Sequence, residues 1–474
     1  MVNIYPRVVI AGLKGASGKT FLCLGIVGAL KEKALSVSVF KKGPDFIDAG
    51  WLSLAAGTPC RNLDPFLMSR DQILASFQEG AKDCGISIIE GNRGLFDGLD
   101  YEGLCSTAQL ARILEAPIIL VVDVTMATRT IGALVKGCQV FESELLIKGV
   151  ILNRVGSTRQ ESLIRKVIDS YCGIPTLGAI PKLKENQFPE RHMGLVPHHE
   201  RIGSLSALRS AKEAALSYVN LPSIIEIASE ASFIKSNDCR VSQSPLFQPS
   251  EAPRIGVVRD DAFWFYYPEN IDSLKRNGAN LIYVSALSDH EIPKLDCLYI
   301  GGGFPETMAE ALSRNTSFRE SIKIAVDKGL PVYAECGGLM YLGEDIFSKT
   351  NCYPMAGVLP ISFSLERRPQ GHGYTVLEVS GPNPFYKVGQ TIKGHEFHYS
   401  RPILTRPGQA RFAFRALRGG GIFEKQDGLC FANVLATYTH VHAGGFPLWA
   451  DYMIKAALRF RDQAEKMSKL EKIN

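Results

Sequence analysis

Five short apolar runs in the first half of the chain, separated by segments of helical spacing, leave few folds open. "RVVIAG", "SVSVFKK", "ISIIEG", "APIILVVDV" and "IKGVILNRV" read as strands buried on both faces. "GKTFLCLGIVGALKEKA" and "STAQLARILEA", lying between them, have helical spacing. The alternation predicts an α/β fold, a parallel sheet with helices on both sides and ligands at the carboxyl ends of its strands. From about residue 190 the pattern loosens, and 222–253 is rich in Ser and Pro. It resumes with "RIGVVRD", "ANLIYVSA", "LDCLYIGGGFPE" and "LPVYAECGGLMYLG", then runs to the helix "ADYMIKAALRFRDQAEKM". We therefore expect a first domain over 1–200, a connecting helix and linker over 201–252, and a second α/β domain over 253–474. A length of 474 residues agrees, being too great for one ordinary core.

Composition narrows the class. Lys and Arg are scattered and the net charge is only +5, which gives nucleic-acid binding little support. No apolar run approaches the roughly 20 residues that cross a bilayer, and no signal-peptide pattern opens the chain, so a cytoplasmic protein is expected. The 11 cysteines are dispersed without a C-x-x-C pair, as suits buried thiols in a reducing compartment rather than disulfides or a metal cluster.

"AGLKGASGKT" (11–20) follows the first predicted strand and opens the first predicted helix. A loop of the form G-x-x-x-x-G-K-[ST] would need glycine at 13, where the chain has Leu13. The loop aligns instead from Lys14 onward, the spacing of signature-lysine loops. Backbone N–H groups from Gly15 through Ser17 and Gly18 to Thr20 would face phosphates, and Lys19 would neutralise them. Thr20 would ligate Mg²⁺. Lys14 either reaches a phosphate or is a solvated loop cation, the second being preferred. "FKKGPDFIDAG" and "IIEGNRGLFDG" present Asp45, Asp48, Glu90 and Asp97 just beyond two further strand ends. Carboxylates placed beside phosphates repel them unless a cation intervenes, which implies a metal.

In the second half "PVYAECGGLMYLG" sets Cys336 between a strand and a small-residue turn, the logic of a nucleophile elbow. A helix N-terminus there would lower the thiol pKa. Gly302 and Gly303 of "YIGGGFPE", with Gly337, could supply oxyanion N–H groups. "ATYTHVHAGG" offers His440 and His442 at a strand end, one of which can serve Cys336 as general base.

As a set these stretches resemble the cobyrinic acid a,c-diamide synthase family. "SGKT", "KKGPDFIDAGW", "EGNRGLFDG", "RHMGLVP", "RDDAFWFYYPEN", "GGGFPE", "AECGGLMYL", "GHEFHYS" and "THVH" carry the resemblance over nearly the whole chain. It implies a dethiobiotin-synthetase-like P-loop domain followed by a flavodoxin-like class I glutamine amidotransferase domain. The implied reaction uses ATP and L-glutamine. A tetrapyrrole carboxylate becomes an acyl phosphate, and ammonia from glutamine converts it to an amide at the a and c acetate side chains. By resemblance the loop from Lys14 to Thr20 binds ATP, and Thr20, Asp48 and Glu90 take Mg²⁺. Asp45, Arg93 and Asp97 then face the substrate, with Cys336 and His440 forming the glutaminase pair. Class I amidotransferases usually carry a glutamate two places after that histidine; His442 stands there, so a dyad is implied. A homodimer is left open.

Lys14, Asn92, Arg93 and the segment 367–379 depart from the family's wording; the family also includes enzymes amidating nickel-sirohydrochlorin and a proposed sirohaem amidase, and "KKGPD…DAGW" with "GNRGLFDG" leans toward the last. Arg93 would suit a carboxylate-rich macrocycle. Two rivals are a cobyric acid synthase, which amidates four other side chains, and a nucleotide switch of the ParA/MinD type. The switch accounts for nothing after residue 250.

Overall fold

The computed structural model describes residues 5–183, 190–191, 194–195, 204–234, 251–348 and 351–471. Most of "RHMGLVP" and the middle of the expected linker, 235–250, lie outside the described residues. The chain divides into two compact units, Met1–Arg240 and Val241–Asn474.

The first unit is built on β1 (Arg7–Gly12), β2 (Val37–Lys42), β3 (Arg61–Leu63), β4 (Ile86–Glu90), β5 (Ile118–Asp123), β6 (Ile147–Val155) and β7 (Thr176–Pro181). They form one sheet in the order β3-β2-β4-β1-β5-β6-β7. Every pairing is parallel, as expected of strands without polar alternation. Helices α1 (Lys19–Glu32), α2 (Ile47–Ala56), α3 (Arg70–Ala81), α4 (Thr107–Ile113), α5 (Thr130–Phe141) and α6 (Thr158–Val167) lie between the strands in sequence. A two-stranded ribbon, β8 (Glu190–Arg191) with β9 (Gly194–Leu195), precedes α7 (Ser204–Tyr218) and α8 (Leu221–Ser229). Those two helices fall in the stretch expected as a connector, yet they pack on this unit. A Cβ at Gly25 of α1 would lie 2.3 Å from the Ala211 carbonyl oxygen, so only glycine lets α7 approach this closely. The sheet order places β1 between β4 and β5, and the chain leaves β1, β2 and β4 at one carboxyl edge. Ligands bind at such an edge in open α/β sheets.

The second unit begins with β10 (Arg254–Val258), β11 (Phe263–Phe265), α9 (Pro268–Arg276), β12 (Asn280–Val284), β13 (Cys297–Ile300) and β14 (Gly302–Gly303). It continues through α10 (Ala309–Arg314), α11 (Thr316–Asp327), β15 (Val332–Glu335) and α12 (Gly337–Leu342). A small sheet follows, of β16 (Asp345–Ser348), β17 (Asn351–Pro354), β18 (Ile361–Leu365) and, later in the chain, β21 (Ser400–Leu404). The remaining strands are β19 (Gly371–Val379), β20 (Thr391–His398), β22 (Arg411–Arg418), β23 (Gln426–Phe431), β24 (Val434–Thr437) and β25 (His440–Val441), before α13 (Leu448–Glu471). The main sheet runs β12-β10-β13-β15-β24-β23-β22-β19-β20-β25. Its first five strands are parallel and its last five antiparallel. One face buries Ile300, Phe318 and Leu339; the other buries Tyr299, Tyr333 and Trp449. The segment 367–379, conspicuous in the sequence, supplies β19, the strand that pairs with β20. That pairing brings "GHEFHYS" alongside "THVH", because β20 also pairs with β25, His395 opposite His440.

Candidate functional site

The first unit holds a phosphate-type loop. Gly18 takes a φ of 91°, and α1 starts at Lys19 with no acid of its own in the first turn, so the positive end of the helix dipole faces the loop. Lys19 is 7% exposed and donates from Nζ to the carbonyls of Arg93 at 2.7 Å and Lys14 at 3.4 Å. Burial lowers its pKa, a charge that an anion would restore. Asn153, at the end of β6, donates to the Ser17 carbonyl at 2.9 Å and sits where a Cβ on Gly18 would fall. The loop 91–97 packs on the same turn, with Leu95 N–H donating to Gly12 O at 2.7 Å.

Beside the loop the acids converge on a lysine that the sequence reading passed over. Lys41 and Glu90 stand opposite each other in the β2–β4 register. Lys41 Nζ lies 2.6 Å from Asp48 Oδ2 and 3.0 Å from Glu90 Oε1. Thr20 Oγ1 donates to the same Glu90 oxygen at 2.6 Å, and Asp48 N–H donates to Asp45 at 2.8 Å. Burial opposes the Lys41 charge, but Asp48 and Glu90 outweigh it and hold the ammonium well above its ordinary value. Burial raises Glu90 against the pull of Lys41. Loss of solvent, reinforced by Asp48, pushes Asp45 up to about 7. Two buried oxygens here, Ser17 Oγ and Glu90 Oε2, have no hydrogen-bond partner. Among the described residues no three acids or histidines form a metal cage by themselves. One or two carboxylates, a hydroxyl and an unpartnered buried oxygen do fit Mg²⁺, which commonly takes few protein ligands and completes its shell with phosphate and water.

Not every expected residue joins this cluster. Lys14, Arg93 and Asp97 are exposed. Asp97 accepts the Gly94 N–H at 2.7 Å, and so shapes the loop that touches Lys19.

In the second unit Cys336 follows β15 and caps α12 with φ 45° and ψ −97°, a strained left-handed conformation for a residue with a Cβ. Its N–H donates to Thr437 O at 2.7 Å, and its Sγ lies 3.8 Å from Phe397 O. Glycine at 337 is required by approach: a Cβ there would lie 3.0 Å from Gly303 N and 2.9 Å from Pro305 Cδ. The thiol expectation is corrected. Burial, then the charge of Glu306, with Glu335 and Glu396 adding to it, pushes the Cys336 pKa far above its ordinary range. The helix end does not overcome three carboxylates in a dry site. The resting group is the thiol, so a base is needed.

The structure separates the two histidines. His442 accepts the Gly444 N–H on Nδ1 at 3.0 Å, and its buried Nε2, which has no hydrogen-bond partner, lies 3.5 Å from Glu269 Oε2. His440 is 1% exposed, stacks on His395 with ring centroids 5.0 Å apart, and places Nδ1 3.3 Å from Glu335. Its other edge overlies the glycine loop: a Cβ on Gly302 would lie 2.3 Å from His440 Cε1 and 3.2 Å from Nε2. The elbow, Gly302, Gly303, Gly337 and His440 thus meet in one place, as acyl transfer through a thiol requires.

Residues 8–196 match the CobQ/CobB/MinD/ParA nucleotide binding domain family, and residues 254–447 the CobB/CobQ-like glutamine amidotransferase domain family. A cobyrinate a,c-diamide synthase of Magnetococcus marinus is 41% identical over 95% of this chain and 97% of its own. One from Archaeoglobus fulgidus is 42% identical over 92% and 94%. One from Methanothermobacter thermautotrophicus is 38% identical over 96% and 100%.

Proposed function

The chain belongs to the cobyrinate a,c-diamide synthase family, a family of glutamine-dependent ligases, and from that premise we propose that it amidates the a and c acetate side chains of a tetrapyrrole through acyl-phosphate intermediates. The observation that carries this reading is the pairing of two chemistries in one chain. A phosphate loop flanked by the Thr20–Glu90–Lys41–Asp48 cluster occupies one unit, and a Cys336–His440 elbow the other. Among the described residues no helix is long and apolar enough to cross a membrane.

At the elbow, Cys336 Sγ attacks the γ-carboxamide carbon of glutamine while its proton passes to His440 Nε2. N–H groups of Gly302, Gly303 and Gly337 stabilise the oxyanion. The C–N bond breaks as His440 returns the proton to the leaving amine, releasing ammonia, and water hydrolyses the thioester to glutamate and thiol. At the loop, a substrate carboxylate oxygen takes the γ-phosphoryl group of ATP and ADP leaves. Ammonia then displaces phosphate from the acyl carbon. Backbone N–H groups of Gly15 to Thr20 and the Lys19 ammonium hold the phosphates, and Lys14 remains a solvated cation. Thr20, Asp48 and Glu90 would hold Mg²⁺, which when bound offsets charge on the β- and γ-phosphates. Lys41 holds Asp48 and Glu90 close together, and Asp45, Arg93 and Asp97 line the substrate side.

Cys336→Ala should lose glutamine-dependent amidation and keep activity with free ammonia; failure with ammonia would sink the two-site scheme. Lys19→Ala should lose both activities, since no acyl phosphate forms. Product mass separates the neighbouring reactions, two amides for this one against four for a cobyric acid synthase. A panel of cobyrinate, nickel-sirohydrochlorin and sirohaem, read the same way, identifies the macrocycle, and unchanged binding in Arg93→Ala would remove Arg93 from the substrate side.

A further inference from the structure

We infer that Glu335, the residue immediately before the nucleophile, is the third member of the glutaminase machinery, positioning His440 and stabilising it as the imidazolium. The inference rests on the roles proposed above for Cys336 and His440. The place two residues after His440, where an orienting acid would stand in the usual order, holds His442, whose Nδ1 accepts the Gly444 N–H and whose Nε2 lies near Glu269 rather than His440. The sheet supplies an acid from elsewhere. β15 ends at Glu335, whose side chain is 1% exposed and whose Oε2 lies 3.3 Å from His440 Nδ1. Its Oε1 accepts the Val441 N–H at 3.3 Å, and Tyr299 OH donates to Oε2 at 3.4 Å.

Three features make this more than a buried contact. A carboxylate in this position accepts Nδ1–H, which fixes the tautomer and leaves the Nε2 lone pair on the edge that overlies Gly302. Two other acids of the unit face elsewhere: Glu269 Oε2 lies 3.5 Å from His442 Nε2, and Glu396 accepts the N–H groups of Gly420 and Gly421. Among the described residues His440 is the basic side chain in ion-pair range of Glu335. A buried carboxylate gains little from a neutral imidazole and much from a charged one. Its stabilisation therefore grows as the Cys336 proton moves to His440, which is the requirement for lowering a barrier. Because Glu335 and Cys336 are neighbours in sequence, the strained turn that presents the thiol also fixes the acid. The titratable groups around the imidazole are Glu335 from β15 and His395 and His398 from β20, and burial first, with His440 adding to it, pushes His398 down to about 4. Burial, reinforced by the neighbouring His440, holds His395 far below its ordinary pKa, so it stays neutral. Tyr299 of β13 reaches the carboxylate and Asn270.

The test uses Glu335→Gln and Glu335→Asp in the full chain, with Cys336→Ala and His440→Ala alongside. Glu335→Gln keeps an oxygen for the Val441 N–H but removes the charge. We expect kcat for glutamine hydrolysis to fall about 10²–10⁴-fold, by analogy with removal of the acid from a serine-protease triad. KM for glutamine should stay within about threefold, the acid limb of the pH profile should move to lower pH, and ammonia-driven amidation should be unchanged. Glu335→Asp should recover part of kcat. Wild-type kcat and pH profile in Glu335→Gln would overturn the inference. So would a parallel loss of ammonia-driven amidation in both variants, which marks a role in folding. Retained glutaminase activity in Cys336→Ala or His440→Ala would instead overturn the underlying site assignment.

Discussion

Replacing Lys41 by methionine keeps most of the side-chain volume and removes the cation that Asp48 and Glu90 share. At an effective dielectric constant of about 20, unit charges attract by about 6 kcal/mol at the 2.6 Å separation of Lys41 and Asp48, and by nearly as much at the 3.0 Å of Lys41 and Glu90. Most of this gross attraction offsets the desolvation of three charges. Breaking a buried pair by removing one partner costs about 3–5 kcal/mol, because the survivors are left uncompensated. The Lys41 and Glu90 side chains are 2% and 1% exposed, but Asp48 keeps 21% and is partly screened. The lower end, about 3 kcal/mol, is therefore expected. For a unit of this size that is roughly a 6–12 °C fall in melting temperature. Calorimetry should show it on the transition that ATP shifts. The deficit must also depend on pH. Burial already raises Glu90 against the pull of Lys41; without Lys41 that rise is unopposed, so the native state binds more protons and stability falls as pH rises. The deficit should be largest near pH 8 and shrink toward pH 5, where protonation replaces the lost cation. A variant melting within 2 °C of the parent at pH 8, or a deficit flat from pH 5 to pH 8, would refute the argument.

Gly302→Ala adds a Cβ that would lie 2.3 Å from His440 Cε1 and 3.1 Å from Phe265 Cδ2. It should displace the imidazole, cost about 1–3 kcal/mol in stability, and reduce glutamine hydrolysis while sparing ammonia-driven amidation; normal glutaminase would show that the ring tolerates displacement. Asp45→Asn removes a carboxyl raised to about 7 from an ordinary 3.8. Such a group lowers stability progressively as pH rises from about 4 to 7, so the variant should exceed the parent by roughly 4 kcal/mol at pH 8 and by less than about 2 kcal/mol at pH 5. Equal melting-temperature differences at the two pH values would argue against it.

The sequence alone determined the parallel half of each sheet, since apolar runs without alternation suit only strands covered on both faces. It also marked the phosphate loop and the Cys336 elbow, because close backbone approach demands glycine at fixed offsets, and those offsets are visible in one dimension. The antiparallel half of the second sheet was less legible. Strands such as "GHGYTVLEV" have one exposed side, and their partner was set by a pairing across the whole domain. The charge relations were decided only in three dimensions. Lys41 reads as one of two adjacent lysines until the β2–β4 register sets it against Glu90. Glu335 reads as a strand residue until β25 brings His440 to it. Resemblance singles out His440 over His442 by position alone; the fold gives them different surroundings, one facing a carboxylate and the glycine loop, the other bonded by the Gly444 N–H with Glu269 nearby. The state of the Cys336 thiol likewise follows from burial among three acids drawn from separate segments. Backbone conformation is constrained by neighbours in the chain and so leaves a sequence trace. Electrostatics depends on distance and exclusion of water, which only the folded chain defines.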